Sequence, residues 1–195
     1  MKKSLILIAC AVSGVASAQN IVTNGDFSHD AYTVGGYNEL SSLYGWNLVG
    51  NDVAGIGKSY LGAPNQEIDL SGSYDGGGTG ISQTLNTQVG KTYNLSFDVY
   101  TGGGYGYAGG VDVLVGGSQL GTNLQGLFNA NPSTDRKAYS YSFTASSATT
   151  DLKFMDNNGF VSHVGNVNCQ AVPEPASMLG LGLPLAGLLR RRFKK

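Results

Sequence analysis

The chain has 195 residues, with 30 glycines, 10% aromatic and only 13% charged residues, and an ordinary hydrophobic share of 41%; this leaves room for one domain of roughly 150 residues, fits a turn-rich, tyrosine-rich β protein and excludes disorder. The formal net charge of -1 conceals a segregation: Lys2, Lys3, Arg190, Arg191, Arg192, Lys194 and Lys195 lie near the ends, whereas between Gln19 and Val172 five basic residues face ten aspartates and two glutamates, a net charge of -7. An acidic domain without a basic stripe excludes nucleic acid and anionic lipid as partners.

Lys2 and Lys3 precede the apolar run Leu5 to Val15, and Ala16-Ser17-Ala18 supplies small residues before Gln19. This is the pattern of a secretory signal peptide spanning residues 1–18. Leu7-Ile8-Ala9-Cys10 has the outline of a lipoprotein cleavage box, but a cut there would leave an apolar core of about five residues, short of the usual 7 to 15. Cleavage after Ala18 removes Cys10 and leaves Cys169 as the only cysteine. It then has no internal disulfide partner, and reads as a small buried residue of a last strand or, in the minority reading, as a reactive or intermolecular thiol.

Ile21-Val22-Thr23-Asn24-Gly25-Asp26-Phe27 predicts a short strand running into an Asn-Gly turn. Tyr44-Gly45-Trp46-Asn47-Leu48-Val49 places the single tryptophan in a second strand. The pairing of Asn-Gly-Asp-Phe with a Gly-Trp about twenty residues on resembles the start of carbohydrate-binding-module-like, galactose-binding-like jelly rolls. That resemblance implies a structural calcium near the first motif and a tryptophan packed in the core. The acidic residue usual after the phenylalanine is here Ser28, followed by His29 and Asp30.

Glu67-Ile68-Asp69-Leu70 alternates polar and apolar, Gly76-Gly77-Gly78 makes a loop, and Gly80-Ile81-Ser82-Gln83-Thr84-Leu85 alternates again. After a turn at Val89-Gly90-Lys91, Tyr93, Leu95, Phe97 and Val99 face one way and Asn94, Ser96, Asp98 and Tyr100 the other, a period of two that a helix cannot bury on one side. The run from Gln66 to Asp98 resembles one that recurs in PEP-CTERM proteins and in cell-wall-associated jelly-roll domains, which speaks for the fold and not for an activity.

Thr101 to Gly110 is a glycine and tyrosine loop without the lysine or the strand-to-helix step of a phosphate cradle. Its Tyr105 and Tyr107 are candidate ligand-binding residues, since their rings can stack on the apolar C–H faces of sugars; the alternative is a plain spacer. Val111, Val113 and Val115 alternate into the Gly116-Gly117 turn and Ser118-Gln119-Leu120, and Asn129 to Lys137 is a polar loop. Tyr139, Tyr141 and Phe143 alternate with Ser140, Ser142 and Thr144, Asp151 to Met155 gives another strand, and Val161 to Cys169 the last. Related jelly rolls finish on an Asp-Asn-Val type motif; here the run is Val164-Gly165-Asn166-Val167. With Ser28 and Gly165 in place of two acids, a calcium ion, which needs several oxygens of net negative charge, would rest on Asp26, Asp30 and Asp156.

Neither His29 nor His163 is accompanied by marked ligands, and both read as exposed loop residues. Glu39, in a soft loop, and Glu67, a solvent-facing acid at a strand start, are the carboxylates available to a glycoside hydrolase. No nucleophile elbow, zinc helix or cysteine cluster is present, so the domain reads as non-enzymatic. The architecture expected for residues 19–170 is an all-β, antiparallel jelly-roll β-sandwich of about eight to ten strands, burying Trp46, Tyr93, Leu95, Phe97, Val111, Val113, Tyr141 and Phe154.

Residues 171–195 end the chain as an ordered triple: Val172-Pro173-Glu174-Pro175, the apolar run Met178 to Leu189, and Arg190-Arg191-Arg192-Phe193-Lys194-Lys195. The apolar run is about twelve residues, below the roughly twenty that span a bilayer, and Pro184 interrupts it. This order resembles the PEP-CTERM sorting signal. The resemblance implies an exosortase as processing partner, transient anchoring in the inner membrane of a Gram-negative-type bacterium, a cut near Pro-Glu-Pro, and release to the cell surface or extracellular matrix. The function expected is a non-catalytic module associated with extracellular polysaccharide, the alternative a structural or adhesive surface protein, and the third reading a glycoside hydrolase.

Overall fold

The computed structural model describes residues 18–30, 34–50, 53–56, 65–72, 78–101, 109–127, 136–157 and 161–173. Residues 1–17 of the stretch expected to be a signal peptide, Tyr105 and Tyr107, and Glu174, Pro175 and Arg190 to Arg192 of the expected sorting signal lie outside them. Among the described residues there are eleven strands: β1 (Tyr37–Leu40), β2 (Asn47–Val49), β3 (Val53–Ile56), β4 (Glu67–Asp69), β5 (Gly80–Asn86), β6 (Thr92–Thr101), β7 (Val111–Val115), β8 (Ser118–Leu124), β9 (Arg136–Thr144), β10 (Thr149–Asp156) and β11 (Ser162–Ala171). They form an all-β sandwich of two antiparallel sheets, one ordered β1-β3-β4-β11-β6-β9 and the other β2-β5-β10-β7-β8. No helix among the described residues is long and apolar enough to cross a membrane.

The period-two runs build the centre. Tyr93, Leu95, Phe97 and Val99 of β6 point into the sandwich, opposite Phe143, Tyr141, Tyr139 and Lys137 of β9 in register. From the other sheet Leu152 and Phe154 of β10 and Val111, Val113 and Val115 of β7 meet them. The sheets lock through aromatic edges: Phe97 meets Phe154 edge-on at 4.9 Å, and Trp46 lies 6.2 Å from Phe154. Gly116 and Gly117 both have positive φ, 56° and 80°, the two-residue hairpin turn whose twist matches antiparallel strands. Tyr141 is only half-buried, because β9 is the edge of its sheet.

Three expectations need correction. The stretch Ile21–Phe27 is not a strand: two main-chain bonds tie it to β11, Ile21 N–H to the Cys169 carbonyl at 2.9 Å and Val167 N–H to the Gly25 carbonyl at 2.8 Å, and side chains hold the rest. Gln83 points inward, takes the Thr23 N–H on its Oε1 at 2.8 Å and donates from Nε2 to the carbonyls of Thr23 (3.0 Å) and Gly45 (2.6 Å), so one amide does the work of a strand partner. Glu39 sits in β1 and not in a loop, exposed and paired in register with Ala54. Trp46 precedes β2, in a turn bridged to Leu43, and its ring is buried with Nε1 donating to the Asn24 carbonyl at 3.3 Å.

Cys169 is fully buried in β11. Burial pushes its thiol up to about 12, which leaves it without the thiolate that reactivity needs.

Candidate functional site

The outer face of the six-stranded sheet carries a row of polar side chains that the strand register lines up. Asp69 of β4 is opposite His163 of β11, His163 opposite Tyr100 of β6, and Tyr100 opposite Arg136 of β9. Residues two apart on a strand share a face, so Glu67 joins Asp69 on that side while Ile68 between them faces the core. In β11 a one-residue bulge separates Gly165, opposite Asp98, from Asn168, opposite Ser96. Asn166 takes the left-handed conformation there, φ 51°, which asparagine tolerates best after glycine; the extra residue lets Val164 and Val167 both turn inward.

The row closes into an ion network. Arg136 forks onto Glu67, its Nε bonding Oε1 and its Nη2 donating to Oε2 at 3.0 Å. His163 Nδ1 lies 3.2 Å from the same Oε2 and its Nε2 3.6 Å from Asp69 Oδ2. Asp69 Oδ1 also accepts from the Ser71 backbone (3.1 Å) and hydroxyl (2.6 Å). The Arg136 guanidinium rests 4.8 Å from the Tyr100 ring centre, and Tyr100 and His163 rings are 5.0 Å apart. Gly165 makes space for this: a Cβ there would come 3.1 Å from Glu67 Cγ, so Glu67 lies across a bare backbone.

His163 is thus not an exposed loop residue, and Glu67 is not a solvent-facing acid. Only 1% of His163 is exposed and 4% of Glu67. Burial alone would drive the imidazole toward neutrality; the Asp69 and Glu67 carboxylates reverse this and hold its pKa at about 9. Burial likewise opposes ionisation of Glu67 and Asp69, but His163 and Arg136 beside Glu67, and His163 and Ser71 beside Asp69, keep both below their ordinary values. A general acid for glycoside hydrolysis needs a raised carboxyl pKa. Glu67 has the opposite, with both oxygens engaged, so it is not placed to act as one.

The signs fix a pH prediction. A histidine whose pKa rises on folding from 6.5 to about 9 contributes stability that is complete below 6.5 and is lost as pH climbs through 9. The two lowered carboxyls contribute stability above their unfolded values and lose it in acid. The urea midpoint should therefore fall between pH 6.5 and 10, and His163→Asn should flatten that slope; an unchanged slope in the variant would remove His163 as its source.

Around the network the sheet face is polar and hydrogen-bonding, with Asp98 its one carboxylate among the bonds that follow. Asn65 donates to Asn166 at 3.2 Å, Asn166 to Asp98 at 2.6 Å, and the Ser142 hydroxyl to Asn94 at 2.8 Å. Such amides and hydroxyls, each with spare donors or acceptors, suit a ligand rich in hydroxyl groups.

The residues named for calcium do not come together. Asp26 accepts from the Ser28 backbone and hydroxyl, 3.2 and 2.9 Å; Asp30 accepts from Asn24 Nδ2 and the Tyr44 N–H, 3.2 and 3.3 Å. Asp156 ends β10, buried, where its N–H donates to the Thr79 carbonyl at 2.8 Å. Among the described residues no three His, Cys, Asp or Glu side chains are grouped to hold a metal ion. The carbonyls of Phe27 and Asp30 both accept from Gln66 Nε2, the latter at 3.1 Å. A rise of several degrees in the thermal midpoint in millimolar calcium over EDTA, abolished by Asp26→Asn, would establish a calcium site there, and an unchanged midpoint would rule it out.

Val172 and Pro173 are exposed just beyond β11, with the Val172 N–H donating to the Thr92 carbonyl at 2.8 Å. His29 is exposed as expected, but stacked on Tyr44.

A family model described as a carbohydrate binding domain (CBM_4_9) matches residues 19–157. Solved structures of similar fold include one described as "CBM4 structure and function" (12% identity, TM-score 0.45, covering 77% of this chain and 99% of the other). Another is a family 35 carbohydrate binding module from Clostridium thermocellum (10% identity, TM-score 0.48, covering 70% and 98%). A third is the CBM22-1 xylan-binding domain of Paenibacillus barcinonensis Xyn10C (12% identity, TM-score 0.44, covering 71% and 87%). No curated protein matches the chain.

Proposed function

The chain belongs to the carbohydrate binding domain family, and from that premise we propose that it is an exported, non-catalytic polysaccharide-binding module of a bacterial cell surface or extracellular matrix. The family match over residues 19–157 carries the reading. The amide and hydroxyl face beside the Glu67–Arg136–His163 network supports it, as does the engagement of Glu67 in ion pairs. The route is read from the ends of the chain. The pattern before Gln19 directs export, and the order Pro-Glu-Pro, apolar run, basic cluster addresses an exosortase in the inner membrane.

Binding is tested with a glycan array and affinity electrophoresis of the secreted protein. Tyr105→Ala with Tyr107→Ala should weaken retention about ten-fold, the loss of roughly 1.4 kcal/mol that a stacked ring contributes; unchanged retention removes those tyrosines from the site. Intact mass of the secreted form checks the route: an N terminus at Gln19 and a C terminus near Pro173 are expected, and a mass retaining Arg190 to Lys195 would overturn processing.

A structural or adhesive role is the second reading, favoured by the sheet edges. β9 is nine residues long and β8 seven, and each ends its sheet with mostly exposed side chains. Exposed edges of that length are templates for pairing with another chain. Sedimentation velocity at rising concentration separates the two: self-association without glycan favours adhesion, and a monomer throughout favours the binding module.

A further inference from the structure

Two loops hold an aromatic pair on the surface. His29 and Tyr44 stack with ring centres 3.5 Å apart and planes 9° from parallel, yet both are exposed, Tyr44 at 51%. Tyr44 occupies the corner of a turn closed by Trp46 N–H to the Leu43 carbonyl at 3.1 Å. The next residue, Gly45, has φ 78°, the type II arrangement that calls for glycine, and a Cβ there would meet Thr23 Cγ2 at 2.9 Å.

The backbone on both sides of the ring is fastened. The Tyr44 N–H donates to Asp30 Oδ2 (3.3 Å) and its carbonyl accepts from Asn24 Nδ2 (3.0 Å). Asn24 also accepts the His29 N–H at 3.0 Å, so one side chain positions both rings. Asn24 and Phe27 have φ of 51° and 55°, a costly conformation for a bulky residue. It persists because the Phe27 ring is fully buried, 5.8 Å from Trp46. The loop is over-determined in this way, and it holds the stacked pair, with one face of each ring turned away from the other, at the surface.

We propose that His29 and Tyr44 form a stacking platform for a neutral pyranose unit of a polysaccharide, a subsite separate from the outer sheet face; this rests on the carbohydrate-binding reading above. The apolar C–H face of a pyranose ring lies flat on an aromatic surface, and rings already held in place lose little freedom on binding. Asp30, bonded to the Tyr44 backbone, supplies an acceptor for a sugar hydroxyl at the rim. The domain's net charge of -7 repels uronates and sulfated sugars, which selects a neutral glycan.

The test is affinity electrophoresis of the secreted protein in gels containing laminarin, arabinoxylan or galactomannan as neutral probes and polygalacturonate as the anionic one. Wild type should be retarded by at least one neutral probe. Tyr44→Ala and His29→Ala should each weaken that retention about ten-fold or more, while Tyr44→Phe, which keeps the stack, should not. Tyr37→Ala, at a tyrosine 57% exposed outside the platform, controls for a general effect, and unchanged thermal midpoints control for folding. Full retention by both alanine variants of a wild type that binds overturns the platform and leaves the family reading standing; binding to polygalacturonate alone overturns its neutral specificity. A wild type retarded by no probe overturns the carbohydrate-binding reading and the platform with it.

Discussion

Glu67→Ala is expected to lower the unfolding free energy by about 3–5 kcal/mol, the cost of removing one partner from a buried ion pair. Two positive groups would be stranded, since the Arg136 fork and His163 Nδ1 both converge on this carboxylate. Asp69 cannot replace it, because its nearer contacts go to Ser71 and His163. Urea unfolding monitored by Trp46 fluorescence measures the loss. A double-mutant cycle with Arg136→Met isolates the pair: the double variant should recover part of the cost, as the charge left buried is the larger penalty. A single-variant cost below about 1 kcal/mol, the level of an exposed salt bridge, would mean that the network is open to water.

Phe154→Ala is expected to cost about 3–5 kcal/mol by leaving a cavity between the sheets. The ring is fully buried and contacts both layers, meeting Phe97 of β6 edge-on at 4.9 Å and Trp46 at 6.2 Å. For a domain of this size each kcal/mol lowers the melting point by about 2–4 °C, so the transition should move by roughly 10 °C. Phe154→Leu, which refills most of the volume, should recover over half of that. An equal loss in both variants would point to the aromatic contact itself as the source.

The strands that were legible in the sequence are those whose alternation runs for five residues or more. β6, β7, β9 and β10 follow the period-two pattern because one face is buried and the other is not. β1 and β3, four residues each at one end of a sheet, are too short to show a period. The ion network was half-visible: Glu67 and Asp69 share a strand face, and two like charges side by side call for cations opposite. Those cations come from His163 and Arg136, 96 and 69 residues away from Glu67, beyond any local pattern. His163 lies in the last expected strand, but nothing local in the sequence marks its burial. Tyr44 was hidden because Tyr-Gly-Trp looks like a strand, whereas the Gly45 conformation makes it a corner.

The fastening of the N-terminal stretch has a consequence in time. Asn20 Oδ1 accepts from Cys169 N at 2.9 Å and the Ile21 N–H donates to the Cys169 carbonyl at 2.9 Å; these partners stand 149 and 148 residues apart in the sequence. β4 and β6 likewise wait for β11, which pairs with both. A chain emerging from its N terminus therefore cannot close its first segment until its last strand is available, and such long-range closure makes folding slow. Local pairs such as β3 with β4 and β7 with β8 need no late partner, whereas the six-stranded sheet joins its two halves only through β11.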